Sequence, residues 1–332
     1  MTASKLDVVG IGNAIVDVLS PSDDAFLSDH GLAKGMMTLL SAEQAEELYG
    51  KMGPGVESSG GSAANTIAVF ASMGGSAAFV GKVADDQLGT VFRHDIRSLG
   101  VQFDTPSASG GAPTARCLIL VTPDAQRTMN TFLGACVELG PDDVLPAQLA
   151  EAKVTYLEGY LWDPEAAKQA FLKAAAAAHE AGNAVALSLS DPFCVERHRD
   201  EFKDLVANHV DILFANEQEI MALYQVNDFD AALQAARGQC RIAALTRGEA
   251  GAVIVADDEV HIIDAEPIED LVDTTGAGDA FAAGFLYGYT RGLAWSTCGR
   301  LGCAASAETI QHMGPRPDKS LAPVARRIIE SA

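Results

Sequence analysis

The sequence predicts an α/β fold on a mainly parallel central sheet, and three observations carry that prediction. Short apolar or β-branched runs alternate with longer helical patterns along most of the chain, which is the rhythm of βαβ units. The 332 residues are 48% hydrophobic, enough for the large core of a single α/β domain spanning 1–332. Two stretches, about 14–56 and 102–132, break the rhythm. The second reads as alternating strands in "TARCLILVTPDAQRTMNTF" around a "TPDAQ" turn, so the two are expected to fold together as a small β-rich lid.

In chain order, "DVVGIG" is the first strand, Ser62 to Met73 a helix, "AAFVGK" a strand and Asp86 to Leu99 a helix. The runs "VTYLEG", "AVALSLS", "VDILFAN" and "IAALTRG" continue the sheet, and the alanines around Ala174 lie inside a helix between them. Asp257 to Asp270 resembles a hairpin with acidic flanks, and an apolar helix follows from the stretch "DTTGAGDAFAAGF", Asp273 to Phe285.

Composition removes several function classes. The formal charge of −22 repels nucleic acid and anionic lipid, so any phosphate must be held by a local site. Six scattered cysteines without a CxxC pair argue against a zinc site and against a disulfide framework, and are read as reduced. "MTASKLDVVGIGN" lacks a signal core and no apolar run approaches the roughly 18 residues that span a bilayer, which leads to the expectation of a cytoplasmic protein. Three apparent motifs fail on chemistry. "GIGNAIVD" has Ile15 where a dinucleotide fingerprint needs glycine, and "GSAAFVGK" is one residue too long for a phosphate loop and is followed by Val83 where a magnesium-binding hydroxyl is needed. "HRD" at His198–Asp200 has Leu205 where a kinase catalytic loop carries Asn.

The glycine-rich start of the last apolar helix is different. Gly276 and Gly278 each cost a helix about 1 kcal/mol relative to alanine if they lie in its regular turns. Glycines at a helix N-terminus let a bulky anion reach free backbone N–H groups, where the dipole adds partial positive charge. Asp279, beside that hole, could take the proton from an alcohol attacking phosphorus. The alternative is structural: Asp273 or Thr275 caps the helix and Ala282, Ala283 and Gly284 permit close packing.

"DTTGAGDAFAAGF" resembles the C-terminal signature of the PfkB/ribokinase family of carbohydrate and nucleoside kinases. Three further elements in the family's order support the resemblance: "SGGSAANTIAVFASMGGSAAFVGKVADDQLG" from Ser59, the NxxE element in "FANEQE", and a TxGxxG element in "LTRGEAG". The resemblance implies a ribokinase-like fold, with Asp279 as the catalytic base and Gly276, Ala277 and Gly278 as the anion hole. It further implies acceptor contacts at Asn13, Asp17, Gly61 and Asn65, nucleotide contacts at Thr246, Gly248 and Gly251, and Asn216 and Glu219 acting on magnesium through water. The cofactor set implied is Mg²⁺ with ATP as co-substrate, with room for a monovalent cation.

The middle of the chain is similar to the adenosine-kinase branch, through its "LSxPF" step and "VDILFxNExE" junction. The resemblance makes Tyr160 a candidate to hold a purine and adenosine to AMP the leading reaction. Thr275 departs from the Asn of animal adenosine kinases and matches ribokinases. Two alternatives stay open: a kinase for another nucleoside or a free sugar, and a non-catalytic nucleoside-binding regulator on the same fold. Expected partners are therefore ATP and a small nucleoside or sugar, with no nucleic acid and no membrane, and with monomer and dimer both open.

Overall fold

A computed structural model of the chain describes residues 5–331 apart from 125 and 258. Among the described residues, thirteen strands form two sheets. The larger is built from β1 (Leu6–Ile11), β5 (Ala77–Val80), β8 (Ala152–Glu158), β9 (Ala184–Ser188), β10 (Ile212–Asn216), β11 (Ile242–Thr246), β12 (Ala252–Ala256) and β13 (Glu259–Ile263). Its order is β13-β12-β11-β10-β9-β8-β1-β5, with the six strands from β5 to β11 parallel and β12 and β13 antiparallel at one edge.

The parallel strands are apolar on both faces because both faces are covered. Val8 and Val9 of β1 enter opposite cores, as do Phe214 and Leu213 of β10. One core is filled by Phe70, Phe79, Tyr156, Phe281 and Phe285, the other by Trp162, Phe171, Leu187 and Phe202. The helix Glu165–Glu180 carries Ala174 on its buried side. No helix among the described residues is long and apolar enough to cross a membrane.

The second sheet has the order β3-β7-β6-β2-β4, from β2 (Ile15–Pro21), β3 (Met37–Leu39), β4 (Val56–Gly60), β6 (Ala115–Val121) and β7 (Arg127–Phe132). Its strands thus fall within 15–60 and 115–132. Residues 102–114, expected within the second lid segment, run beside the larger sheet instead. Gln102 and Ala108 form parallel bridges to Ala78 and Ala84, and Phe103 stacks on Phe79 in the core. The β6–β7 turn is closed by the Thr122 N–H donating to the Gln126 carbonyl at 3.0 Å; Ala125 of the "TPDAQ" turn lies outside the described residues.

The hairpin expected over Asp257–Asp270 sits earlier in the chain. Its strands are β12 and β13, paired from Ala252↔Ile263 to Ala256↔Glu259, so Asp257 is at the turn and Asp258 lies outside the described residues. The shift has a physical cause: "AVIVA" is wholly buried and must pair on both edges, whereas the acid-rich stretch after Ile263 has no apolar face to bury and forms no strand.

Candidate active site

The site forms where the parallel strands end. In open α/β sheets ligands collect outside the carboxyl ends of the strands, at the point where successive connections leave in opposite directions. Here that point is β1, which lies between β5 and β8. A cleft of about 630 Å³ opens there, and its wall takes Asn13 just past β1, Glu158 from β8, Ser188 from β9, Asn216 from β10 and Thr246 from β11. The second sheet forms the facing wall.

Two glycine-led helices point into this cleft. The helix Ala277–Tyr289 begins at Gly276, its N-cap, with φ +76° and no side-chain cap. The capping alternative is therefore not what this helix uses, and of the two glycines only Gly278 lies within its turns. The amides of Gly278 and Asp279 have no acceptor among the described residues, and a Cβ added at Gly278 would meet open space. The helix Ser62–Ser72 likewise begins at Gly61, with φ +101° and no side-chain cap. Free N–H groups at two helix ends, with the dipole behind them, make this corner of the cleft receptive to an anion.

Asp273 serves as a bracket for the loop. Its Oδ1 accepts from the Thr275 N–H (3.1 Å) and hydroxyl (2.8 Å), and its Oδ2 accepts from the Gly314 N–H (2.9 Å). Arg127 of β7 places Nη2 2.6 Å from the same Oδ2, with both side chains buried. This ion pair ties the second sheet to the loop that delivers Gly276.

Asp279 lies in the first turn of its helix and lines the cleft. Ser62 donates its hydroxyl to Oδ1 at 2.6 Å. Desolvation pushes the Asp279 carboxyl up to about 6, against the opposing pull of Ser62, Asn65 and the Arg316 charge. Asp17 of β2 is buried and also pushed up to about 6 by desolvation, opposed by Arg316 and Arg127. No described group hydrogen-bonds the Asp17 carboxylate, although it lines the cleft. A buried carboxylate without a donor is costly, and hydroxyls of a ligand would satisfy it.

Asn13 is fixed from both ends. Its amide donates to Glu158 Oε1 at 2.7 Å, and its Oδ1 accepts from the Cys136 thiol at 3.0 Å. The other Glu158 oxygen accepts the Ala63 N–H at 2.8 Å, and burial raises this carboxyl to about 7. Asn65 lines the cleft from the helix that Gly61 opens. Tyr160 stands at the mouth, 39% exposed.

Asn216 and Glu219 form a reciprocal cap for the helix Glu217–Tyr224. Asn216 Oδ1 accepts the Glu219 N–H, while the Glu219 oxygens accept from the Asn216 N–H (2.8 Å) and side-chain amide (2.7 Å). Glu219 is buried, which raises its carboxyl to about 7. No group of three or more His, Cys, Asp or Glu side chains able to hold a metal occurs among the described residues. Asn216 and Glu219 both line the cleft, and their oxygens are of the hard type that magnesium and its waters take.

The structure thus brings Asn13, Asp17, Gly61, Asn65, Tyr160, Asn216, Glu219, Thr246 and Gly276–Asp279 to one cleft. Gly248 and Gly251 do not line it. They shape the β11–β12 connection, where a Cβ on Gly251 (φ +79°) would lie 2.0 Å from the Ile263 carbonyl oxygen. Sequence reasoning missed Ser62 and Glu158, although both stand inside motifs it used, and the apolar wall Met37, Leu39, Ile119 and Met129; it also missed Arg316, which is bonded to Asn65.

Residues 35–321 match the pfkB family of carbohydrate kinases. The chain belongs to that family. It is a kinase of ribokinase-like α/β fold. Two solved structures are similar over almost the whole chain. The adenosine kinase from Sinorhizobium meliloti is 54% identical over 97% of this chain and 99% of its own, with a TM-score of 0.90. A probable sugar kinase from Rhizobium etli CFN 42 is 53% identical over 98% of each chain, also with a TM-score of 0.90. The ATP-dependent ribose-1-phosphate kinase of Halopiger xanaduensis is 33% identical over 69% of this chain and 73% of its own length.

Proposed function

We propose that this kinase transfers the γ-phosphoryl group of ATP to the hydroxymethyl group of a nucleoside, with adenosine giving AMP as the leading reaction. One observation carries the reading: the donor-less, buried Asp17 stands in the same cleft as an apolar wall of Met37, Leu39, Ile119 and Met129. A ligand that satisfies both has vicinal hydroxyls at one end and a flat apolar ring at the other, which describes a nucleoside better than a free sugar. Phe193, 73% exposed at the cleft mouth, joins Tyr160 as a ring against which a purine could pack.

Charge selects against a phosphorylated acceptor. The cleft wall includes the carboxyl groups of Asp17, Glu158, Asp163, Asp191, Glu219 and Asp279. Its one cation among the lining residues, Arg197, is bonded to Asp163 at 3.0 Å. Ribose 1-phosphate, the acceptor named for the Halopiger relative, would bring two more negative charges to the acceptor end.

The chemistry is in-line phosphoryl transfer. The acceptor hydroxyl passes its proton to Asp279 as its oxygen bonds to the γ-phosphorus, the bond from that phosphorus to the β-bridging oxygen breaks, and ADP leaves with the electron pair. The free amides at the start of the helix Ala277–Tyr289 stabilise charge on the transferring group. Magnesium arriving with ATP would neutralise phosphate charge, with Asn216 and Glu219 orienting its waters. The second sheet acts as the lid that excludes competing water. An acid at Asp279, lining the cleft beside the free helix amides, favours turnover over a non-catalytic nucleoside binder.

The test is ADP release from Mg·ATP with a panel of adenosine, other nucleosides, ribose, fructose and ribose 1-phosphate. Turnover of adenosine with silence on the sugars is the expected result. Preference for ribose, fructose or ribose 1-phosphate overturns the nucleoside reading, and tight nucleoside binding without ADP release overturns the catalytic one.

A further inference from the structure

The segment after the helix Trp295–Thr309 brings a residue to the site that no nearby sequence announces. Arg316 donates Nε–H to Asn65 Oδ1 at 2.9 Å and Nη1–H to Ser59 Oγ at 2.9 Å. Nη1 also stands 3.5 Å from Asp95 Oδ2. That same carboxylate oxygen accepts from the Ser59 N–H (2.8 Å) and hydroxyl (2.6 Å). Nη2 is buried without a hydrogen-bond partner. One guanidinium thus links the glycine helix Ser62–Ser72, strand β4 of the second sheet and the helix Gln87–Ser98.

The geometry points to Arg316 as a positioning residue for Asp279, acting through Asn65. Because Arg316 occupies the Asn65 carbonyl oxygen, the side-chain NH₂ is the end left for the cleft that Asp279 also lines, on the same helix whose Ser62 donates to Asp279. An amide flip would turn its oxygen toward that carboxylate and its NH₂ toward the guanidinium, which is unfavourable at both ends. The charge matters as well. Asp279 is faced by Ser62 and Asn65 from the glycine helix, Asp17 from β2, Tyr156 and Glu158 from β8, Tyr160 beyond it, Glu219 from the helix after β10, and Arg316. Of these Arg316 alone is positive. It is the one cation that acts on both carboxylates, Asp17 and Asp279, with Arg127 adding its charge on the Asp17 side alone, and so favours their ionising together.

This inference rests on the reading of Asp279 as the proton acceptor, and the two can fail separately. The experiment compares R316M, R316K and D279N across a pH series, with thermal unfolding of each. In R316M the acidic limb of kcat should move to higher pH by about one unit or more, so that the loss is at least about threefold greater near pH 6.5 than near pH 8.5. KM for Mg·ATP should stay within about threefold. R316K should return the limb toward its original position while recovering kcat only in part, since an ammonium cannot fork to Asn65 and Ser59 together.

A folded R316M whose acidic limb is unmoved overturns the inference, even if D279N is inactive. An active D279N overturns the reading beneath it. Should R316M fail to fold, R316K decides: a wild-type kcat there overturns the orienting role, and a reduced kcat with an unmoved limb supports it.

Discussion

Asp279→Asn should inactivate the enzyme and stabilise the fold in the same molecule. Asparagine keeps the shape and can still accept the Ser62 hydroxyl now held at 2.6 Å. It cannot take a proton from the acceptor, a role that typically contributes about 10²–10⁴-fold to kcat. The stability effect follows from burial. A carboxyl raised from 3.8 to about 6 corresponds to roughly 3 kcal/mol of destabilisation once pH exceeds the folded value. Below about pH 4 both folded and unfolded chains hold the proton and the penalty is absent. Between about pH 4 and 6 the folded state binds the proton more tightly, so stability falls as pH rises; above about 6 the penalty is complete.

The variant should therefore melt higher than the wild type at pH 7, and the difference should shrink steadily as pH is lowered through 6 toward 4. Initial-rate ADP formation and thermal unfolding at several pH values read both effects. A kcat within a few-fold of wild type removes Asp279 from proton transfer. A melting temperature below wild type at every pH refutes the desolvation argument and makes the carboxylate a structural anchor.

Gly278→Val should cost turnover far more than stability, because an added Cβ at 278 meets open cleft rather than packed protein; loss of activity in step with loss of folded protein would restore the packing explanation. Asp17→Ala should weaken nucleoside binding by about 1–3 kcal/mol, the scale of a lost buried polar contact, and leave ATP binding nearly unchanged. Calorimetry with each ligand separates these, and equal weakening of both would mean that Asp17 serves the fold. Gly251→Ala should destabilise the β12–β13 edge, since its Cβ would lie 2.0 Å from the Ile263 carbonyl oxygen; unchanged thermal unfolding would show that the turn can shift.

The parallel sheet was legible because its strands are short, uniformly apolar and spaced by helices, a pattern that survives without any knowledge of contacts. The NxxE element of Asn216 and Glu219 was legible for a local reason too, as a polar residue and an acid three positions apart at a strand end, and the structure makes it a reciprocal helix cap. The second sheet was visible as a break in rhythm, but its second boundary was not. Residues 102–114 are turn-rich, with no strand pattern of their own to separate them from the segment they lead into, and only their bridges to Ala78 and Ala84 place them beside the larger sheet. Arg316 lay beyond reach for another reason. It meets Asn65 across 251 positions of chain, and no local periodicity encodes a contact of that span. Glu158 was hidden in plain view, since an acid ending an apolar strand looks like a solvent-facing terminus until Asn13 and Ala63 are found donating to it.

The uncapped starts of the two cleft helices divide the molecule for anyone seeking a hardier version of it. Adding a cap side chain elsewhere commonly gains about 1 kcal/mol, but at Gly61 and Gly276 a Cβ would fall 2.1 Å from the Asn13 carbonyl oxygen and 2.5 Å from that of Pro315. Those positions are closed to the usual optimisation. The helix Trp295–Thr309 is not: it starts at Ala294, which is exposed, extended in ψ and without a capping side chain. Serine or aspartate there would tie down a first turn remote from the phosphate corner. Heat resistance can thus be added at one end of the architecture while the glycine-led ends keep their amides open to the cleft.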